Sequence, residues 1–132
     1  MRFLFDANAV IALLNDPHGL VARHARQHQP ADIGLSAIVS HELYFGAFKS
    51  RRRDHNLTIV TGLQFEVVPF DQEDARHAGE IRATLSALGT PIGPYDVLIA
   101  GQARSRGLVL VSRNLREFRR VEGLNVDNWE DA

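Results

Sequence analysis

Short apolar segments that alternate with helical stretches constrain the fold of this chain more than any other feature. The predicted strands lie at residues 3–5, 33–36, 65–69 and 109–111, with a short fifth strand at Val126. When strands alternate with helices along a chain, right-handed crossovers place the strands in a parallel sheet that is covered on both faces. The pattern therefore predicts an α/β fold, with all 132 residues in one domain, 1–132, that has one substantial core.

Helical spacing of apolar side chains fills the stretches between these strands. The predicted helices cover residues 7–14, 20–28, 37–49, 71–88 and 94–107, and a short helix ends near residue 62 after a charged loop at residues 51–56. Asp6 and Asp71 are suitable N-caps, and Pro94 suits the first turn of its helix. The first helix is apolar nearly all round, so we expect it to be buried.

Aromatic side chains are expected in the core rather than at a binding surface. Four phenylalanines fit core positions better than base-stacking positions: Phe45, Phe48, Phe65 and Phe70. The single tryptophan, Trp129, is expected to pack as a plug at the C-terminal end.

Four positions carry an acid or an amide where local structure would place an apolar residue. They are Asp6 after the first strand, Glu42 within a helix, Asp96 at a helix start and Asn114 after the fourth strand. Ligands of open α/β sheets bind beyond the carboxyl ends of the strands, which is where Asp6 and Asn114 are placed. Helical spacing puts Glu42 on the same side of its helix as Phe45, so all four residues can converge on one edge of the sheet.

Carboxylates gathered in one place repel each other and are costly to remove from water. A hard divalent cation, Mg²⁺ or Mn²⁺, is the simplest means of holding them together, because these ions prefer carboxylate, amide and water oxygens. Asp6, Glu42 and Asp96 are therefore predicted metal ligands, and Asn114 is predicted to join them in a catalytic cluster. This arrangement favours metal-dependent phosphoryl transfer.

Each of these residues also has a simpler explanation. Asp6 alone fits an N-cap, Asp96 an acid that complements the helix dipole, and Asn114 a turn residue. Glu42 is harder to explain in this way, because glutamate is rarely buried without a partner. The separate explanations are independent, and all of them would have to hold at once. A single cluster that contains all four residues is therefore favoured over this coincidence.

A basic run directly follows the helix that carries Glu42: Lys49, Arg51, Arg52 and Arg53. Its position predicts contact with a phosphate backbone near the metal. The same run also fits a solvated loop, because blocks of like charge are common on protein surfaces. His24 and His28 have a spacing that suits a metal, but without a third ligand we expect ordinary surface residues and assign them no role.

Composition excludes several classes of site. The formal net charge of −1 gives no overall attraction to nucleic acid, so a polyanion must be held by a local patch. The chain has no cysteine, which excludes disulfides and thiolate metal sites and favours a reducing cytoplasm. The longest wholly apolar run, residues 9–14, is too short to span a membrane, and no signal peptide is recognised. We therefore expect a cytoplasmic protein.

Four longer segments carry recognisable motifs. They are residues 5–8 (FDAN), 40–47 (SHELYFGA), 90–100 (TPIGPYDVLIA) and 111–118 (VSRNLREF), followed by residues 121–124. In order and spacing these segments resemble the PIN-domain ribonucleases, and among them the VapC-like toxins of bacterial type II toxin–antitoxin pairs. The resemblance covers nearly the whole chain, and the third and fourth segments are its specific parts.

The resemblance implies a three-layer α/β/α fold around a central parallel sheet and an Mg²⁺- or Mn²⁺-dependent endoribonuclease. Structured RNA, with transfer RNA a common target, is the implied substrate. The acidic positions of the family fall on Asp6, Glu42, Asp96 and, as an amide, Asn114. Ser112 stands where threonine is usual and keeps a hydroxyl, and Glu117 is a further acid nearby.

The resemblance also implies a homodimer and a small antitoxin that lies across the acidic groove. An arginine of that antitoxin would pair with the carboxylates in place of metal, because guanidinium groups suit carboxylate partners. The surfaces at residues 20–28 and 57–62 are candidates for either protein contact.

Two other classes of function stay open. A catalytically inert module would keep the fold and bind RNA or a partner without cutting, and the amide at Asn114 keeps this alternative alive. A phosphatase would use Asp6 as an aspartyl nucleophile at a strand end. That chemistry usually requires a second acid two residues later, where this chain has Asn8.

Overall fold

The computed structural model describes residues 1–131 and places five short strands in one parallel sheet. The strands are β1 (Phe3–Phe5), β2 (Ile33–Ser36), β3 (Glu66–Val68), β4 (Val109–Val111) and β5 (Val126–Asp127). Their order across the sheet is β3-β2-β1-β4-β5. In the central register, Phe3 lies opposite Ile33 on one side and Val109 on the other. The α/β fold with a central parallel sheet is therefore confirmed, including the short fifth strand.

Seven helices flank this sheet within the described residues. They are α1 (Ala7–Asn15), α2 (Leu20–Ala25), α3 (Ala37–Lys49), α4 (Arg53–Thr61), α5 (Gln72–Ala87), α6 (Pro94–Ser105) and α7 (Leu115–Phe118). A 3-10 turn at Pro30–Asp32 precedes β2. No helix in this part of the chain is both long and apolar enough to cross a membrane.

Helix boundaries differ from the predictions where polar residues dominate. The loop predicted at 51–56 is wrong in extent, because α4 already begins at Arg53. The helix predicted at 20–28 ends at Ala25 instead. Helix α7 has only 4 residues, which is too short to show helical periodicity. The prediction of a single domain over 1–132 stays a prediction, and its last residue lies outside the described residues.

Trp129 closes the core at the C-terminal end, as predicted. It is 2% exposed, and its ring meets Phe3 and Phe5 edge-on at centroid distances of 4.9 and 5.4 Å. His24 and His28 stack on its ring at 5.2 and 5.4 Å. The expectation that these histidines are ordinary surface residues is therefore wrong, since both pack against the core.

The prediction that Phe45 and Phe48 belong to the core is wrong. Their exposed fractions are 61% and 53%. Helix α3 instead buries a stripe of smaller side chains at four-residue spacing: Val39, Leu43 and Ala47. Phe65 and Phe70 are partly buried, and Phe65 packs against Phe5 at a ring distance of 5.7 Å.

Helix α1 is buried on one face only. Ala9 and Val10 are inaccessible, but Ile11 and Leu14 are 44% and 40% exposed. These two side chains line a groove of about 680 Å³ between α1, α3 and α4, which reaches Glu42. We call it the apolar groove. The prediction of a wholly buried first helix is therefore wrong, because its outer face opens onto this groove.

Candidate active site

Asp6 lies directly after β1, at the carboxyl end of the central strand. It is 6% exposed, and its Oδ1 accepts a hydrogen bond of 2.8 Å from the backbone N–H of Ala9. Burial raises the pKa of Asp6, while hydrogen bonds from Ser112 and Ala9 and the charge of Arg113 oppose the rise. Asp6 is thus the N-cap of α1 and also a buried acid at the sheet edge.

Glu42 lies in the second turn of α3, at the mouth of the apolar groove. Its Oε1 is buried and has no hydrogen-bond partner among the described residues. Burial and the negative charges of Asp96 and Asp6 raise the pKa of Glu42, and His41 opposes the rise. A buried acceptor without a donor is costly, so it marks a place where a cation, a proton or another molecule completes the contact.

The third acid, Asp96, lies in the first turn of α6, two residues after Pro94. Burial raises the pKa of Asp96, and the charges of Glu117 and Asp6 raise it further. Gly93 keeps the space beside this carboxylate open, because a Cβ there would come within 3.2 Å of Asp96 Oδ2.

Ser112 and Asn114 follow β4 and connect the cluster to α7. The Ser112 hydroxyl, buried to 1% exposure, accepts a 2.9 Å hydrogen bond from the Asn114 backbone N–H. The Asn114 amide donates a 2.9 Å hydrogen bond to Glu117 Oε2. Asn114 therefore positions Glu117, whose charge acts on Asp96.

The structure brings Asp6, Glu42 and Asp96 close enough for the charges of Asp6 and Asp96 to raise the pKa of Glu42, and for the charge of Asp6 to raise that of Asp96. Within residues 1–131, however, no three acidic or histidine side chains already stand in a metal-binding arrangement. The available donors are oxygens, and Glu42 Oε1 lacks a partner. This donor chemistry suits a hard divalent cation once the side chains turn toward it. The assignment of metal ligands stays a prediction.

Sequence reasoning missed two charged residues beside Asp6. Glu130 Oε2 is buried without a hydrogen-bond partner in the described structure, and burial raises the pKa of Glu130. The exposed Arg113 opposes that rise, while the charge of Asp6 adds to it. A signal existed for Glu130, because residues that follow a fifth parallel strand lie at the same sheet edge as Asp6.

The predicted RNA-binding run lies beside the acidic cluster rather than within it. Lys49 ends α3, Arg51 and Arg52 occupy the exposed turn, and Arg53 begins α4. Lys49 is two helical turns from Glu42, about 10 Å along the axis. The basic side chains are exposed near the acidic site, and their contact with RNA stays a prediction.

Comparisons with known proteins agree with this arrangement. Residues 3–124 match the PIN domain. The "tRNA(fMet)-specific endonuclease VapC" of Salmonella typhimurium is 41% identical over 132 residues, with 98% of each chain covered. The protein of the same name from Shigella flexneri is 37% identical over 131 residues, with the same coverage.

A solved structure shows the same fold. It is described as "Crystal structure of DNA bound VapBC from Salmonella typhimurium", and it matches with a TM-score of 0.92 at 39% identity, covering 98% of each chain. The match to the PIN domain and the full-length similarity to VapC proteins lead to one conclusion. This chain belongs to the PIN domain family.

Proposed function

We propose that this chain is an Mg²⁺- or Mn²⁺-dependent endoribonuclease and the toxin of a toxin–antitoxin pair. The observation that carries the proposal is the unpartnered Oε1 of Glu42 beside the carboxylates of Asp6 and Asp96. Such a site is unfavourable in isolation and becomes favourable when a divalent cation neutralises it. The similarity to proteins named ribonucleases and endonucleases supports the same reaction class.

Transfer RNA is the substrate class we propose, and initiator transfer RNA is the first candidate. Two relatives with full-length similarity are named tRNA(fMet)-specific endonucleases. The exposed basic run of Lys49, Arg51, Arg52 and Arg53 supports binding of a phosphate backbone beside the acidic cluster.

Asp6 and Asp96 would hold the ion directly, with Glu42 as a ligand or as the base beside it, and Asn114 and Ser112 would orient neighbouring groups. When bound, a divalent ion lowers the pKa of a coordinated water and offsets negative charge that builds on the phosphate. Asn114 keeps Glu117 beside Asp96 through its amide. The Ser112 hydroxyl donates to Asp6 and so orients this carboxylate.

Glu42 is the residue we propose as proton acceptor. Its pKa is raised by burial and by neighbouring carboxylates, which suits a group that must take a proton near neutral pH. Water would attack the phosphorus, the bond to the leaving ribose oxygen would break, and the proton of the water would pass to Glu42. The leaving oxygen would take its proton from solvent.

The proposed partner is an antitoxin that covers the acidic cluster. Structures similar to this chain are described as VapBC toxin–antitoxin assemblies. The apolar groove, with exposed Ile11, Leu14 and Ile59, supports docking of an amphipathic segment next to Glu42. An arginine in that segment would neutralise the carboxylates. A homodimer and a cytoplasmic location complete the proposal.

Cleavage of initiator transfer RNA by purified, partner-free protein tests the proposed reaction. We expect discrete fragments with Mg²⁺ or Mn²⁺ and none with chelator, and we expect a folded Asp96→Asn protein to be inactive. An elongator transfer RNA serves as the matched substrate control. Tight metal-independent RNA binding without any cleavage would refute the reaction and favour the inert module.

A further inference from the structure

An exposed row of rings and cations runs along α3, away from the apolar face of this helix. It consists of Tyr95, His41, Phe45, Phe48, Lys49 and Arg53. We call it the aromatic–basic track. It shares no residue with the apolar groove or with the proposed metal ligands.

Helical spacing aligns the ring side chains on one side of α3. His41, Phe45 and Phe48 are four and three residues apart, so they are neighbours on the helix surface. All three are exposed, whereas the stripe of Val39, Leu43 and Ala47 is buried. The track therefore covers about 10 Å along the helix axis.

Cations lie over the rings of the two phenylalanines. Lys49 Nζ is 5.6 Å from the ring centroid of Phe45, and the guanidinium carbon of Arg53 is 5.7 Å from that of Phe48. Arg53 is also fixed in place, because its Nε donates a 3.2 Å hydrogen bond to the Phe48 carbonyl oxygen. The positive charge is thus placed within the track itself.

The other end of the track reaches the acidic cluster. The ring of His41 lies 5.2 Å from that of Tyr95, at an interplanar angle of 56°. Tyr95 is 48% exposed. Each ring belongs to the residue just before a cluster carboxylate, since His41 precedes Glu42 and Tyr95 precedes Asp96. A strand that lies on the track would therefore pass beside the stretches of backbone that carry Glu42 and Asp96.

We propose that the aromatic–basic track binds an unpaired, single-stranded segment of RNA that flanks the cleaved bond. The proposal rests on the proposed ribonuclease function and adds the binding surface for the substrate. Bases would stack on the rings of Tyr95, Phe45 and Phe48, while Lys49 and Arg53 would contact phosphates. Alternating rings and cations are what sequence-tolerant binding of single strands requires.

The charges favour RNA over a protein as the occupant. Aromatic residues and arginine occur at protein interfaces as well, but lysine is depleted in their buried centres. Lys49 lies over the exposed ring of Phe45, so a protein that covered this ring would have to bury the lysine. A polyanion would instead gain from both cations, Lys49 and Arg53, and displace counterions.

Binding of a fluorescent single-stranded RNA 12-mer, followed by anisotropy in chelator, tests the track without cleavage. Each of Phe45→Ala and Phe48→Ala should weaken binding about 5- to 150-fold, the range for loss of one stacked base. Tyrosine at either position should retain most of the affinity. Leu88→Ala removes a side chain that is 69% exposed elsewhere, and it should change nothing.

A second strand of the same length, with abasic sugars throughout, separates stacking from phosphate contacts. It should bind more weakly than the 12-mer and be insensitive to Phe45→Ala. Lys49→Ala should weaken both strands and reduce the salt dependence of binding. Equal loss for both strands in Phe45→Ala would overturn the stacking role.

Sedimentation of the wild-type protein and of the Phe45→Ala, Phe48→Ala double variant tests the competing occupant. If the double variant binds RNA as tightly per chain as the wild type but no longer forms a dimer, these residues form a contact between two copies of the chain and not an RNA-binding surface. Cleavage without any effect of the ring substitutions would refute the track and leave the ribonuclease intact. If the protein binds RNA in a way that depends on the rings but never cleaves it, the proposed ribonuclease activity is refuted and the proposed RNA-binding track stands.

Discussion

Buried acids at the two ends of α6 have pKa values that are shifted in opposite directions. At its N-terminal end, Asp96 faces Asp6, Glu42 and Glu117, and the pKa values of Asp6, Glu42 and Asp96 are raised. At its C-terminal end, about 18 Å away, Asp74 of α5 is fully buried and yet has a lowered pKa. Both ends contain buried carboxylates, so burial alone does not distinguish them.

Internal partners explain the C-terminal end. Arg106 donates hydrogen bonds of 3.2 and 2.9 Å to the two carboxylate oxygens of Asp74, and the Ser105 hydroxyl also donates to Asp74. Burial raises the pKa of Asp74, but these hydrogen bonds outweigh it and the net shift is downward. This carboxylate is stabilised within the chain.

Within residues 1–131, no arginine forms an equivalent bridge to the carboxylates at the N-terminal end. Arg113 is exposed and acts on Asp6 only through its charge, and Glu42 Oε1 has no partner in the described residues. The carboxylate at the C-terminal end is thus stabilised within the chain, whereas those at the N-terminal end are the ones that we propose to bind a cation. Perturbed carboxylates without internal partners are typical of functional sites.

The largest expected effect is on cleavage. Asp96→Asn should lower the rate of RNA cleavage about a thousandfold or more, because it removes a ligand of the proposed ion. Asp74→Asn should retain near-normal cleavage per folded molecule. Rates measured under single-turnover conditions, scaled by the folded fraction, test both. Similar losses of cleavage rate in Asp96→Asn and Asp74→Asn would contradict the proposed difference between the two ends of α6.

Loss of the arginine at the C-terminal end should have the largest effect on stability. Arg106→Ala leaves Asp74 charged and buried, and we expect the free energy of unfolding to fall by about 3 kcal/mol. Arg76→Ala is the matched control, since its pair with Glu73 is exposed at 61% and 65%, and it should leave the free energy of unfolding nearly unchanged. Urea unfolding at pH 7 measures both variants, and equal losses would contradict the account.

Removing a charge at the N-terminal end should stabilise the metal-free protein. Asp96→Asn relieves repulsion from Asp6 and Glu117, so we expect the free energy of unfolding to rise by about 1 kcal/mol at pH 7. A folded-state pKa raised above 3.8 means that wild-type stability falls as pH rises through the interval between 3.8 and the raised value. The extra stability of Asp96→Asn over the wild type should therefore disappear at pH values below that interval.

The pH dependence of Asp74→Asn should have the opposite sign. The folded-state pKa of Asp74 lies below 3.8, so its stabilising contribution is present above 3.8 and is lost as pH falls through the lowered value. Unfolding curves at pH 3, 5 and 7 in chelator measure both variants. A gain from Asp96→Asn that did not depend on pH would contradict a charge effect.

The smallest effect concerns the turn after α3. Replacing Arg51 and Arg52 by alanine should weaken RNA binding modestly and reduce the slope of log affinity against log salt by about 1–2. Alanine at both Arg76 and Arg82, two exposed arginines of α5, provides the charge-matched control. An unchanged slope would indicate that Arg51 and Arg52 lie in a solvated loop and do not contact RNA.

The strands and the acidic positions were predictable because their signals are local. The apolar runs of β1 and β4 and the caps at Asp6 and Pro94 are visible along the sequence, and parallel topology then places Asp6 and Asp96 at one edge. Glu42 was predicted on a buried stripe, but it is half-buried and lies at a groove, and its role in the site stays a prediction.

The exposed surfaces were not predictable in the same way. Apolar periodicity gives no means of telling whether Phe45 or Ile11 packs against the core or faces solvent, because that depends on which neighbouring helix covers each face. The pairing of Asp74 with Arg106 joins residues 32 positions apart, and no local pattern announces it. Side-chain contacts between residues far apart in the sequence therefore could not be predicted and were found only in the structure.

The most direct test of the central claim is Mn²⁺ binding to partner-free protein at pH 7, followed by the loss of the free-ion electron paramagnetic resonance signal. We predict saturable binding by the wild-type chain and by Arg76→Ala, and its loss in Asp96→Asn. Binding should also weaken as pH falls, because the raised pKa values of Glu42 and Asp96 make these carboxylates easier to protonate than ordinary ones. Equal Mn²⁺ affinity in the wild-type and Asp96→Asn proteins would contradict a cation site at the N-terminal end of α6.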